Sequence, residues 1–386
     1  MDVLQFIVWD PDPEIFSVFG IDVRWYGLLF ALGFLISQQI MFFMYRQEGK
    51  PVQDVESLTV YMVIATVVGA RLGHVLFYEP DKYLSDPIQI LNIRGGGLAS
   101  HGAAIGILTA LYLYVNYLMR FHKGKFEVKK RKRPGQSYLW VVDRIVIVVA
   151  LTGTLIRLGN FMNSEIVGEP TGSDVGVVYG YWLEDAAKYY SQGSVTSAET
   201  RKEESEGWNQ KYQAPVRLDL EFQRGIDTTQ AGYYIRNTLT RTIAEGPRTE
   251  RFFEQPGGEP LYYDLQQKSG IVTASVVVNG IPRHPTQLYE ASSYLFIFLL
   301  LYLIWYRKKE QTPEGMIFGI FMITLWSFRF IWEFLKENQV EFEEGMALNM
   351  GQWLSIPLIL AGVLILMYSL RNKPKETKER VTSGKN

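Results

Sequence analysis

The sequence predicts an all-α polytopic membrane protein with seven transmembrane helices and an extracytoplasmic mixed α/β insertion between spans 4 and 5. Three observations predict it. Seven apolar segments of about 18–22 residues are each long enough to cross a hydrocarbon core of about 30 Å. Lys and Arg collect in alternate loops. One polar block, Pro170–Pro282, is too long to be a bare connection.

The expected spans lie near Trp25–Met44, Leu58–Phe77, Leu98–Met119, Leu139–Ile156, Leu288–Tyr306, Met316–Leu335 and Trp353–Leu370. The first reads as a span rather than a cleaved leader. It follows Asp10, Asp12, Glu14 and Asp22 instead of a basic region, and it is too long for a leader's apolar core. The loop RFHKGKFEVKKRKRPGQ after the third segment carries eight Lys/Arg, and the tail after the seventh carries six. Arg307, Lys308 and Lys309 follow the fifth, whereas ENQVEFEEG after the sixth is acidic. The positive-inside bias therefore puts the N-terminus outside and the C-terminus in the cytoplasm, as an odd number of spans requires. Within the polar block, Arg217–Phe222 and Ile271–Val278 read as strands and Asn279-Gly280 as a turn. The expected organisation is spans 1–4 over 1–169, the insertion over 170–282, and spans 5–7 with a basic tail over 283–386.

Composition narrows the chemistry. The 386 residues carry a net charge of −1, a mean hydropathy near zero and no cysteine. Disulfides, a cysteine nucleophile and thiolate metal sites are thereby excluded. Four histidines, none in an HExxH pattern, leave little for zinc, so neither metal nor cofactor is expected. The charge balance gives no reason to expect a nucleic-acid partner.

Polar residues at the span ends sort to the outer side. Tyr26 starts the first span, and Arg71 and His74 end the second. RGGGLASHGA, with Gly96, Gly97 and His101, leads into the third, and Asp143-Arg144 lies at the inner end of the fourth. The fourth then runs into RLGNFMNSEIVG, Arg157 to Gly168, which packs a cation, two carboxamides and a carboxylate into twelve residues. Arg283, His284, Gln287, Tyr289 and Glu290 open the fifth, and Arg329 and Glu333 close the sixth. Taken singly, each has a plain reading. Arg329 and Glu333 share a helix face and can neutralise each other, Asp143-Arg144 is a structural pair, and Tyr26 suits an aromatic belt. Collected at one depth, all but the inner Asp143-Arg144 pair describe an outward-facing polar cavity. Ionisable groups at membrane depth mark functional sites by default. Several arginines without a metal cluster point to an anion, whose phosphate geometry the guanidinium fork matches. At that depth the abundant anion is a phospholipid head group, and His101 offers a proton acceptor beside it.

At these residues the sequence resembles a known family. DVRWYGLLFALGF, GARLGHVLFY, RGGGLASHGAAIG, RLGNFMNSEIVGEPT, RHPTQLYEA and FRFIWEF are similar, in order, to motifs of the bacterial prolipoprotein diacylglyceryl transferases. The resemblance implies a multi-pass enzyme of the bacterial inner membrane. It implies transfer of the diacylglyceryl group of phosphatidylglycerol to the lipobox cysteine of a prolipoprotein signal peptide, with release of glycerol phosphate. It carries over His101, Arg157 and Arg329 as catalytic, and Tyr26, Asn160, Glu165, Gly168, Glu290 and Glu333 as substrate-binding. Asp143, Gly96 and Gly97 are expected as structural support. Two positions depart from the family pattern. Ile156 stands where a glycine is usual, and Leu325 where a tyrosine is. The alternative from the residues alone is an outward-facing transporter or lipid-binding protein for an organic anion. A transporter favours inverted repeats, and none is evident.

Overall fold

A computed structural model describes residues 6–92, 97, 99–122, 125–130, 132–204, 212–255, 260–337 and 346–372. Three short strands open the chain, β1 (Phe6–Trp9), β2 (Glu14–Val18) and β3 (Ile21–Arg24), the last two paired antiparallel. The helices α1 (Trp25–Gln47), α2 (Gln53–Phe77) and α3 (Pro80–Ser85) follow, then α4 (Ser100–Asn116) and the hairpin β4 (Tyr117–His122) and β5 (Lys125–Lys130). After α5 (Tyr138–Met162) come β6 (Gly176–Tyr179), α6 (Tyr181–Tyr190), β7 (Val195–Lys202) and β8 (Pro215–Phe222). Next are α7 (Thr228–Tyr233), a π-helical turn, α8 (Thr240–Glu245), β9 (Phe253–Glu254), β10 (Tyr262–Lys268) and β11 (Ile271–Gly280). The last helices are α9 (Thr286–Lys308), α10 (Met316–Trp332) and α11 (Met350–Arg371).

Among the described residues six helices, α1, α2, α5, α9, α10 and α11, are long and apolar enough to cross a bilayer. The third expected span is shorter than its apolar run. At 17 residues α4 spans about 26 Å, because the backbone turns extended at Tyr117 and pairs with β5. It packs very closely on α2. A Cβ on Gly102 would lie 2.4 Å from the Gly69 carbonyl oxygen, and one on Gly106 would lie 2.6 Å from that of Ala65. The spacings Gly69-x-x-x-Gly73 and Gly102-x-x-x-Gly106 form the small-residue face that lets apolar helices associate by backbone contact.

The described chain divides into two compact units. One comprises Leu32–Gly153, Tyr294–Ser327 and Leu354–Asn386. Inside it a fully buried Arg144 grips Glu48, its Nη2 2.7 Å from Oε2 and its Nε 3.1 Å from Oε1. The Trp140 and Trp305 indoles donate to the same carboxylate. A buried charge pair holds only when its remaining valences are met in this way. Asp143 accepts the backbone N–H groups of Gly315 and Phe318, each at 2.7 Å, and so satisfies orphan donors at the start of α10. The Asp143–Arg144 contact is the looser one, at 3.9 Å.

The other unit comprises Met1–Ala31, Thr154–Ser293 and Phe328–Trp353. Its sheet runs β10-β11-β8-β7 antiparallel, with β9 on the end of β11, while β6 pairs in parallel with β1. Period-two alternation builds the core. Val216, Leu218, Leu220 and Phe222 of β8 face inward with Val272, Ala274, Val276 and Val278 of β11. Both strands predicted for the insertion are present. Asn279-Gly280 is not a turn but the last pair of β11, opposite Glu254 and Phe253. Asn279 donates to Glu254 and accepts the Ala214 N–H, so its side chain extends the ladder.

Candidate active site

The stretch Arg157–Gly168 begins on the last turns of α5 and leaves them through a strained turn. Ser164 and Ile166 both have positive φ, 52° and 58°. For the β-branched Ile166 this is a costly conformation that only its surroundings can enforce. The surroundings are side-chain donors on carbonyls of the last helical turn and of the turn that follows it. Trp9 Nε1 donates to Phe161 O and Trp182 Nε1 to Ser164 O, each at 2.9 Å. Gln287 Nε2 reaches Glu165 O at 2.7 Å, and Thr286 Oγ1 reaches Ile166 O at 3.2 Å.

So fixed, the turn aims its polar side chains back at Arg157. Nη1 of Arg157 donates to Asn160 Oδ1 at 3.2 Å, and Asn160 Nδ2 donates to Glu165 Oε1 at 2.8 Å. Asn163 reaches the same oxygen at 3.3 Å. Nε of Arg157 lies 2.8 Å from Glu290 Oε2, and Lys336 Nζ lies 2.6 Å from Glu290 Oε1. Lys336 also lies 3.5 Å from Glu333 Oε2. Glu290 is fully buried and Lys336 is 6% exposed. Arg329 lies within electrostatic reach of Glu290, and Tyr26 of both Glu165 and Arg157. The Tyr26 backbone sits against Gly159, where a Cβ would be 3.0 Å from Tyr26 Cα.

Gly168 has a steric reason. A Cβ there would lie 2.6 Å from His284 O and 2.7 Å from Leu335 O. Its carbonyl accepts Arg283 Nη1 at 2.8 Å, while Arg283 Nε and Nη2 bind the Arg251 carbonyl. Burial pulls the Arg283 guanidinium below its ordinary pKa, against the opposing pull of Glu337. Arg283 is therefore a backbone clamp.

Arg71 is another. Its guanidinium donates to the carbonyls of Gln89, Ile90, Asn92 and Gly97. Gly97 has φ +77°, and a Cβ there would strike the His74 ring at 2.5 Å. Gly96 lies outside the described residues. His101 belongs to the helical unit, on the first turn of α4, exposed and stacked on Tyr78 with centroids 5.7 Å apart.

The structure thus gathers Arg157, Asn160, Glu165, Gly168, Glu290 and Glu333 in one unit, with Tyr26 and Arg329 in electrostatic contact. Lys336 is the member that sequence reading missed. Its spacing of three from Glu333 was the available signal.

Fold and site together define a multi-pass helical membrane protein with a buried arginine–carboxylate–lysine cluster. The family model described as prolipoprotein diacylglyceryl transferase matches residues 13–368. A phosphatidylglycerol–prolipoprotein diacylglyceryl transferase of Tolumonas auensis is 35% identical over 369 residues, 96% of this chain and 100% of that one. Those of Chloroherpeton thalassium and Porphyromonas gingivalis are each 32% identical, over 97% and 96% of this chain and 99% and 98% of their own lengths. The chain belongs to the prolipoprotein diacylglyceryl transferase family, and is thus a transferase. The relatives' names do not favour the transporter alternative.

Proposed function

We propose that the chain transfers the diacylglyceryl group of phosphatidylglycerol to the lipobox cysteine thiol of a prolipoprotein signal peptide, forming a thioether and releasing glycerol phosphate. One observation carries the reading. Arg157 is held on one edge by Glu290 and on another by Asn160, so a cation is oriented before any anion arrives. Preorganised charge of this kind stabilises a leaving group without reorganising during the reaction.

In this reading the thiol proton passes to His101 and the sulfur attacks the glycerol carbon that bears the phosphate ester. The carbon–oxygen bond breaks, its electron pair stays on the phosphate oxygen, and glycerol phosphate departs against Arg157 and Arg329. Tyr26, Asn160, Glu165, Gly168, Glu290 and Glu333 line and orient the substrates, with Asp143, Gly96 and Gly97 in structural support.

The proposed topology has seven spans, the 170–282 insertion and the N-terminus outside, and the C-terminus in the cytoplasm of a bacterium. Parity supports it. Because β1 pairs with β6, both lie on one side of the membrane, so the chain between Trp9 and Gly176 crosses an even number of times. With α1, α2 and α5 crossing, an even count needs α4 as a fourth crossing, the third span in chain order, despite its length.

The test uses the full chain reconstituted with phosphatidylglycerol and a lipobox peptide. Expected is one diacylglyceryl group added to sulfur per glycerol phosphate released. Arg157→Ala should lower turnover by about 10²-fold or more, and Arg157→Lys should rescue it incompletely. Near-normal turnover of Arg157→Ala would refute the assignment.

A further inference from the structure

A cavity of about 510 Å³ opens beside the Arg157 cluster, within the unit that carries the sheet. One wall is the strained Ser164–Val167 turn with Lys336, and the other belongs to the insertion, with Trp182, Arg248, Arg251 and Phe252. The cavity therefore begins at Glu165, which reaches Arg157 through a single residue, Asn160. Resting on the transferase reading, we infer that this cavity holds the stretch of substrate polypeptide that follows the modified cysteine, and that Arg248 selects a carboxylate within it.

Four features point to a polypeptide. Any substrate whose cysteine reacts at the cluster must carry its downstream chain away from it, and this cavity adjoins the cluster. Its span is about 10 Å if taken as isotropic, room for roughly three extended residues at about 3.3 Å each. Its insertion wall is aromatic and arginine-rich, the composition that favours protein recognition. That wall is also preorganised. Trp182 is pinned by its indole to Ser164 O, and its ring stacks on Phe252 with centroids 6.0 Å apart.

The charge pattern adds the selectivity. Arg248, Arg251 and Lys336 line the cavity together with Glu165 and Glu337, three cations to two carboxylates. Arg251 is engaged by Glu337 and Lys336 by Glu290. Arg248 lies over the Trp182 ring at 5.5 Å, its side chain 69% exposed and 3.6 Å from Asp185. So loose an exposed pair is readily exchanged for a substrate carboxylate. Arg248, with Pro247, also borders a second cavity of about 230 Å³ lined by Tyr189 and Tyr190.

The test compares three cysteine peptides in the full reconstituted chain with phosphatidylglycerol. One ends a single residue after the cysteine, and two continue for six residues with either Glu or Lys in the second to fourth positions. Relative to the short peptide, the Glu peptide should show a kcat/KM about fivefold above the Lys peptide, and Arg248→Glu should reverse that order. An unchanged order in Arg248→Glu overturns the inference. So does a shift in the KM for phosphatidylglycerol without a change in peptide preference, which would make the cavity a lipid head-group site. If the unaltered protein modifies none of the peptides, the transferase reading fails and the inference with it. If it modifies the short one without preferring Glu, only the inference falls.

Discussion

Lys336 and Glu290 form a buried ion pair, Nζ to Oε1 at 2.6 Å, and the second oxygen of that carboxylate faces Arg157. The lysine thus acts on the arginine through Glu290. Removing it leaves a buried carboxylate balanced by fewer cations. Breaking one side of a buried pair costs about 3–5 kcal/mol. Lys336→Met should therefore destabilise the protein by an amount of that order, read by thermal unfolding in detergent, and should lower turnover. Lys336→Arg should recover most of the stability. Equal unfolding temperatures for Lys336→Met and the parent would refute the role.

Gly168 makes a sharper case, because its substitution adds one carbon and no charge. An alanine methyl would meet two carbonyl oxygens at 2.6 and 2.7 Å, neither on a flexible side chain. Gly168→Ala should cost about 1–3 kcal/mol through backbone displacement. It should also lower transfer, since Glu165 sits three residues away on the same turn. Activity equal to the parent would mean that the turn can shift without moving Glu165.

His101 is exposed on α4 and is proposed as the base. His101→Gln should lower transfer by about 10²–10⁴-fold, the range for a lost general base. Raising the pH towards about 8.5, where a free thiol begins to ionise, should restore part of the rate. The pH–rate profile at saturating lipid decides the matter. A loss of constant ratio from pH 6.5 to 9.5 would assign proton removal to another group.

In the insertion, burial and a hydrogen bond to the Asp10 carboxylate push the Glu184 carboxyl up to about 8, while the Thr200 N–H on Oε1 opposes them. The folded protein therefore holds this proton more tightly than the unfolded chain does. The contribution to stability is complete below pH about 4.5 and is lost as the pH rises through about 8. Glu184→Gln keeps a hydrogen-bonding group without the titration, so its stability should be flatter across that window. The same pH slope in both proteins, by chemical denaturation, would exclude the pair.

Much of this was legible in the sequence, for identifiable reasons. Long apolar runs report spans because a bilayer demands length and composition alone. Alternation reported β8 and β11 because one face of each is buried. The density of Arg157, Asn160, Glu165 and Glu290 at span ends reported the cluster. What escaped depends on partners distant in sequence. Asn279-Gly280 is strand because Glu254, Phe253 and Ala214 meet it there. Arg71 and Arg283 looked like anion receivers, yet their donors are spent on backbone carbonyls that no local pattern announces. Lys336 was lost against the charged stretch that follows it.

The parallel pairing of β1 with β6 joins Phe6 to Gly176, positions 170 residues apart. At about 5–20 residues per second, a ribosome reaches the second strand roughly 8–35 s after the first. Through that interval the early strand has been made but cannot close its ladder, and α1, α2, α4 and α5 are synthesised meanwhile. The order of assembly is thus not the order of translation. A strand of four residues, paired among the described residues along one edge, is a short target for mispairing during that wait.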